Sequence, residues 1–132
     1  MSAARLWIPP AALAAAIFVL SSLSRIPGGE RVWDKLAHAL VFGLLAALAL
    51  RAAHGGRRVL RPRPTLVTAT AVVVWGILDE VHQRFVPGRT ASVLDVLADG
   101  VGVVVGIGSW ALLARGPAAR IPPTRAETGE EA

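Results

Sequence analysis

The sequence contains no cysteine and no tyrosine, and aromatic residues make up only 5% of its 132 residues. Without cysteine there is no disulfide framework, no thiolate zinc site and no cysteine nucleophile. The first and last apolar runs also lack the polar stripe that each helix of a soluble bundle carries. These absences exclude thiol chemistry and argue against a small soluble helical protein.

Hydrophobic residues account for 54% of the chain, and they occur in four blocks at about 6–23, 36–50, 65–78 and 93–114. A helix needs roughly 20 residues to cross a bilayer, so flanking polar turns complete the second and third blocks. The pattern predicts an all-α integral membrane four-helix bundle with helices at about 6–23, 33–51, 65–84 and 93–114. We therefore expect a multi-pass cell-membrane domain over residues 1–114, with the lipid bilayer as its first partner, followed by a disordered tail, 115–132.

The distribution of charge predicts the topology. The net charge is +5, and the segment between the second and third helices holds five arginines and no acid. Because two helices precede this loop and two follow it, the loop and both termini lie on the same side of the membrane. That side holds nine basic residues, while the opposite side holds five basic and six acidic residues. The positive-inside rule then predicts cytoplasmic N- and C-termini and extracytoplasmic 24–33 and 79–95 loops. The basic loop lacks interleaved aromatics, so no nucleic-acid partner is expected.

Local signals predict how some helices begin. Pro9 and Pro10 are expected in the first turns of the first helix, where missing N–H groups do no harm. The third helix is expected to start after Pro64, with Thr65 as its cap. Ser92 and Asp95 have the spacing of a capping box at the start of the fourth helix.

A polar segment at residues 79–99 separates the third and fourth apolar blocks. Charge at or inside the edge of a bilayer usually has a partner and often a function. Glu80 has Gln83 and Arg84 on its own face, so a surface ion pair with Arg84 is the structural alternative to a functional role. Asp79 and the nearby His82 are weaker candidates for a functional role than Glu80.

The turn at Pro87-Gly88 leads to Arg89, whose guanidinium suits phosphate or carboxylate. Gly102 and Gly106 are spaced to let another helix approach closely.

The second helix supplies the expected complement to this segment. Asp34 and His38 share one helix face, with Lys35 beside them. In the fourth helix, Asp99 lies one turn beyond the capping box and is not explained by it. The candidate functional cluster therefore comprises Asp34, Lys35, His38, Glu80, Gln83, Arg89, Asp95 and Asp99.

These residues, in order between four membrane spans, resemble the VanZ-like family over about residues 30–110. The resemblance implies a small bacterial polytopic membrane protein of the cell envelope, and the family's namesake is associated with teicoplanin (glycopeptide) resistance. The positions that match are Asp34, Lys35, His38, Glu80, Gln83, Pro87, Gly88, Arg89 and Asp95. Family members usually have asparagine where this chain has Asp99, and the extra carboxylate weakens the case for a purely hydrogen-bonding role there.

Three functions are weighed here, and a pure assembly factor is the remaining alternative. The preferred hypothesis is an extracytoplasmic polar site that binds a cell-wall precursor, a lipid headgroup or a glycopeptide. The second is an intramembrane enzyme that uses His38 with Glu80 or Asp95 as acid and base on a lipid-linked substrate, although a nucleophile is missing. The third is a proton-coupled transporter, which would require an oligomer. No cofactor is expected, and no ligand spacing predicts a metal.

Overall fold

The computed structural model folds the chain into four α-helices: α1 (Ala3–Ser21), α2 (Val32–Ala53), α3 (Pro62–Gln83) and α4 (Val93–Ala114). The structure describes residues 3–23 and 32–115, and in α2 it describes the side chains from Asp34 onwards. No strand occurs within these ranges. The predicted all-α, four-helix architecture is confirmed.

All four helices are long and apolar enough to span a membrane. Large hydrophobic side chains face outward on each of them, including Leu40 at 73% and Val104 at 69% relative exposure. Such a surface is unstable in water but matches lipid, where a helix satisfies all its backbone hydrogen bonds internally. The chain is a multi-pass membrane protein.

The core of the bundle lies around α2, which contacts each of the other three helices. Phe42, Leu45, Ala46 and Ala49 are buried along α2 and pack in a cluster with residues of the neighbouring helices. The α2 helix therefore positions the rest of the structure, and its first turns carry polar residues into that core.

The most extensive helix contact joins α2 to α4. A Cβ atom added to Gly43 would lie 3.0 Å from the carbonyl oxygen of Gly102, and one added to Gly102 would collide with the carbonyl oxygen of Ala39. Gly106 lies equally close to the backbone of Gly43. Small residues thus let the two backbones touch, which is how helices associate in lipid.

Successive contacts between α2 and α4 advance along both chains in the same direction, so the two helices run parallel. The pairs are Lys35 with Asp95, His38 with Asp99, Ala39 with Gly102, and Gly43 with Gly106. Both helices therefore begin at the same end of the bundle.

Two helix starts differ from the sequence-based expectation. The α1 helix begins at Ala3, so Pro9 and Pro10 lie inside it rather than in its first turns. The α3 helix begins at Pro62, with Arg61 as its N-cap residue. Proline is favoured at the first helical position because its missing N–H has no partner there in any case. Thr65 is consequently inside the helix and does not cap it.

The end of the bundle that carries the arginine-rich loop is held by His54 and Trp110. The Nδ1 atom of His54 lies 2.8 Å from the carbonyl oxygen of Leu50, and its Nε2 atom accepts the backbone N–H of Arg61 at 3.0 Å. The indole N–H of Trp110 donates to the carbonyl oxygen of Val59 at 3.0 Å. We call this the basic end, and the opposite one the polar end.

Two sequence predictions lie outside the described residues. They are the 24–33 loop, which is described only from residue 32 onwards, and the tail, of which only Arg115 is described.

Candidate functional site

The polar end brings together the last turns of α1 and α3 and the first turns of α2 and α4. This follows from the alternating direction of the helices. Residues from all four helices therefore meet there, and they sort into two groups of contacts.

The first group centres on a buried pair. The Nδ1 atom of His38 lies 2.9 Å from Oδ1 of Asp99, and Asp99 is only 2% exposed. A Cβ atom at Gly76 would lie 2.8 Å from Oδ2 of Asp99 and 3.1 Å from the ring of Phe42. The glycine in α3 therefore provides the space that the Asp99 carboxylate occupies.

Three further residues complete this group. The Nζ atom of Lys35 donates to Oδ1 of Asp95 at 3.1 Å, and the backbone N–H of Ser92 donates to Oε2 of Glu80 at 2.8 Å. Ligand atoms of His38, Glu80 and Asp95 lie within 4.8 Å of one another. We call this group the histidine cluster; its members are Lys35, His38, Glu80, Asp95 and Asp99.

Two carboxylate oxygens of the histidine cluster are buried and have no hydrogen-bond partner among the described residues: Oε1 of Glu80 and Oδ2 of Asp99. Leaving a buried polar atom unsatisfied costs roughly 1–3 kcal/mol, more for a charged group. Buried polar atoms in folded proteins are nearly always paired, so an orphaned one calls for an explanation such as a catalytic role, a bound water or a bound ion.

The second group lies between α1 and α3 and is centred on Asp79, which is 3% exposed. Its Oδ1 accepts the hydroxyl of Ser21 at 2.5 Å, and its Oδ2 accepts the side-chain amide of Gln83 at 3.0 Å. The carbonyl of Gln83 in turn accepts a guanidinium N–H of Arg89 at 3.4 Å. We call this group the arginine cluster; its members are Ser21, Asp79, Gln83 and Arg89.

Arg89 also binds the end of α1. Its guanidinium donates to the carbonyl oxygens of Leu20 at 2.8 Å and Leu23 at 3.2 Å. The last carbonyls of a helix have no partner within the helix, and a cation near them also complements the helix dipole. Arg89 therefore fastens the 86–89 turn to α1, a structural role that the sequence did not indicate.

The structure corrects two local predictions. Ser92 is the N-cap residue of α4 but makes no side-chain capping bond within the described chain; the Asp95 carboxylate binds Lys35 instead, so the capping box is wrong. The Glu80–Arg84 pair is also wrong as the explanation of Glu80, because Glu80 is 4% exposed and accepts the Ser92 N–H, whereas Arg84 points outward.

The sequence reasoning underestimated Asp79 and missed Ser21. The four-residue spacing of Asp79 and Gln83 was the available signal for the first. His82 lies beside α1, with its Nε2 atom 2.9 Å from the Ser22 hydroxyl and its ring stacked on Phe18 at 4.4 Å.

Three of the positions singled out in the sequence, Asp34, Pro87 and Gly88, belong to neither cluster. Asp34 is half-buried in the first turn of α2. Gly88 follows Pro87 in the turn with φ of 78°, a backbone conformation that glycine adopts without strain.

A groove of about 150 Å³ opens beside both clusters, between α1, α2 and α3. Apolar side chains of α1 and α2, such as Leu20 and Val41, line one part of it. The polar part of the lining comprises His38 of the histidine cluster and all four members of the arginine cluster: Ser21, Asp79, Gln83 and Arg89. The groove is therefore amphipathic, because apolar and polar side chains line it together.

Taken together, the fold and this site define a four-helix membrane protein with a buried ionisable centre at one end. A sequence model of the VanZ/LLP1 family matches residues 5–114. The chain belongs to that family. No curated protein and no solved structure gives a significant match to it.

Proposed function

We propose that this protein binds or acts on an amphiphilic component of the cell envelope at its polar end. The observation that carries the proposal is the groove, because apolar side chains line it together with His38, Asp79, Gln83 and Arg89. Such a surface suits a molecule that has a lipid chain and a polar headgroup, as lipid-linked cell-wall precursors do. A free glycopeptide would use the polar part alone.

The polar end is proposed to face the outside of the cell membrane. The support is the distribution of charge: arginines concentrate at the opposite end, and positively charged loops are retained in the cytoplasm. Because the chain has no cysteine, single cysteines give a background-free test. With a membrane-impermeant maleimide on intact cells, Arg84→Cys should be labelled and Arg57→Cys should not. Labelling of Arg57→Cys alone would invert the topology and contradict an external site.

Groove binding can be tested with a matched pair of variants. Ala37 is exposed and lines the groove, whereas Ala16 is exposed on α1 outside it. Protein in nanodiscs is crosslinked to a polyprenyl-phosphate probe that carries a diazirine, and the labelled residues are mapped by mass spectrometry. Ala37→Trp should remove most labelling at the groove and Ala16→Trp should leave it unchanged. Equal labelling of both variants would contradict the proposal.

A role in glycopeptide resistance is a narrower form of the same proposal. If the bound component is a precursor that glycopeptides recognise, expression in a sensitive Gram-positive host should raise the inhibitory concentration of teicoplanin. The effect should disappear in Ala37→Trp at equal membrane abundance. An unchanged inhibitory concentration with the wild-type protein would reject the resistance role but not the binding of an envelope lipid.

One observation favours catalysis as a second candidate. His38 is backed by Asp99 at 2.9 Å and lines the groove, which is the arrangement of an oriented acid–base histidine. Conversion of a lipid-linked substrate that is lost in His38→Gln, with probe binding retained, would support an enzyme.

A further inference from the structure

We propose that His38, Glu80 and Asp95 form a binding site for one divalent transition-metal ion, Zn²⁺ or Mn²⁺ in class. The inference goes beyond the groove and does not depend on what the groove binds. Each of the three residues offers a ligand atom, and these atoms lie within 4.8 Å of one another. Tetrahedral ligand atoms with metal bonds of about 2 Å lie roughly 3.3 Å apart, so binding requires the three side chains to draw together, by ~1.5 Å at most for any pair.

The surroundings of the three residues match the requirements of a metal site. Metal-bound histidines almost always donate their other ring N–H to a carboxylate, a backbone carbonyl or water, which fixes the tautomer and the ring orientation. The contact between Nδ1 of His38 and Oδ1 of Asp99 provides that support and leaves Nε2 for the metal. Asp99 is therefore a positioning residue.

A second, independent observation points to a ligand. Glu80 is 4% exposed, and within the described chain its Oε1 has no hydrogen-bond partner. The other oxygen is fixed by the Ser92 N–H, so the carboxylate is held in place with one oxygen left over. A metal ion would satisfy it.

The charge balance agrees with a divalent ion. Within the histidine cluster, the carboxylates of Glu80, Asp95 and Asp99 are accompanied by one lysine. With all three carboxylates ionised and the imidazole neutral, as metal binding would require, these five side chains would carry a net charge of −2, which one divalent ion would neutralise. One nitrogen and two oxygen ligands suit Zn²⁺ or Mn²⁺ better than Ca²⁺, which takes oxygen only.

The site would have open positions. Three protein ligands leave at least one coordination position for water or for an oxyanion of a bound ligand, as in catalytic metal sites. The protein's contribution is to hold the three ligands at the junction of α2, α3 and α4 in a largely buried setting.

The test uses full-length, tag-free protein in detergent, stripped with a chelator and titrated separately with Zn²⁺, Mn²⁺, Mg²⁺ and Ca²⁺. We expect saturable binding of one Zn²⁺ or Mn²⁺ per chain by metal analysis, a higher midpoint of thermal unfolding, and Co²⁺ absorption bands of a nitrogen–oxygen site. Binding of Mg²⁺ or Ca²⁺ alone, or no saturable binding by the wild-type protein, would overturn the proposal.

The variants locate the ion. Glu80→Gln keeps a carbonyl acceptor for Ser92 and should remove the site, as should His38→Gln. Asp99→Asn should weaken binding by about 10-fold, as outer-shell changes do. His82→Gln is the matched control, because it removes a histidine at the same end that contacts Ser22 instead. If stoichiometric binding survives in Glu80→Gln or Asp95→Asn, the ion is elsewhere and the assignment is wrong.

Discussion

The histidine cluster and the arginine cluster lie side by side at the polar end, yet they differ in how completely their polar atoms are paired. In the arginine cluster, both oxygens of Asp79 accept hydrogen bonds. In the histidine cluster, Glu80 and Asp99 each keep one buried oxygen that no described residue binds. Buried polar networks that are fully satisfied make a structure rigid, whereas an unpaired buried atom costs stability unless a water, an ion or another ligand completes it.

The two clusters also join different helices. The arginine cluster connects the ends of α1 and α3 through side chains, and Arg89 fastens the following turn to α1. The histidine cluster depends on the close approach of α2 and α4. Stability and metal binding should therefore separate: changes in the arginine cluster should destabilise the protein, and isosteric changes in the histidine cluster should mainly weaken the proposed metal binding.

The largest effect is expected where α2 and α4 touch. Gly102→Ala places a methyl group against the backbone of Ala39, which cannot move aside alone, so the free energy of unfolding should fall by about 3 kcal/mol. Gly100→Ala is the control, because an added Cβ at Gly100 meets no described atom within 4 Å. Denaturant unfolding in micelles measures both. A Gly102→Ala protein as stable as Gly100→Ala would show that the helices are not in backbone contact.

The next largest effect on stability is expected from a comparison of two adjacent acids, Asp79 and Glu80. Asp79→Ala removes the acceptor of the Gln83 amide and the cross-helix acceptor of the Ser21 hydroxyl, which keeps only the Phe18 carbonyl oxygen of its own helix, so it should lower the free energy of unfolding by about 2 kcal/mol. Glu80→Gln retains the Ser92 contact and removes a buried charge, so in metal-free protein it should change stability by less than about 1 kcal/mol. Denaturant unfolding in micelles measures both variants. If Glu80→Gln is the more destabilising of the two, the proposed difference between the two clusters is wrong.

The smallest effects are pairwise couplings within the histidine cluster. A double-mutant cycle of His38→Ala and Asp99→Ala should give a coupling energy of about 1–2 kcal/mol, because the pair is buried and in direct contact. The cycle of Lys35→Ala and Asp95→Ala should give roughly 0–1 kcal/mol, since the Lys35 side chain is 30% exposed and such pairs are weak. Equal couplings would mean that burial does not distinguish the two pairs.

Much of the site could be located from the sequence, because the helices alternate in direction and place residues 34–38, 79–89 and 95–99 at one end. Which residues pair with each other across helices could not be predicted from the sequence. Lys35 with Asp95 and His38 with Asp99 are separated by 60 and 61 residues, and local spacing rules reach only along one helix. The capping box failed for this reason: Asp95 binds a lysine from another helix.

Asp79 shows a second reason. Consecutive residues of a helix project ~100° apart, so Asp79 and Glu80 face different neighbours. One joins α1 through Ser21, and the other joins the start of α4 through Ser92. The local sequence around these two residues does not indicate which acid faces which helix.

The sequence by itself determined the four apolar helices and the separation of acidic residues at one end of the bundle from an arginine-rich loop at the other, because the length, hydrophobicity and charge of each segment are local properties. It also supported the family to which the chain belongs. Only the tertiary structure decided that these residues form two clusters, that Arg89 serves the end of α1, and that His38, Glu80 and Asp95 converge. The physical reason is that helices packed through glycines have a specific register, and that register selects the partner of each buried charge.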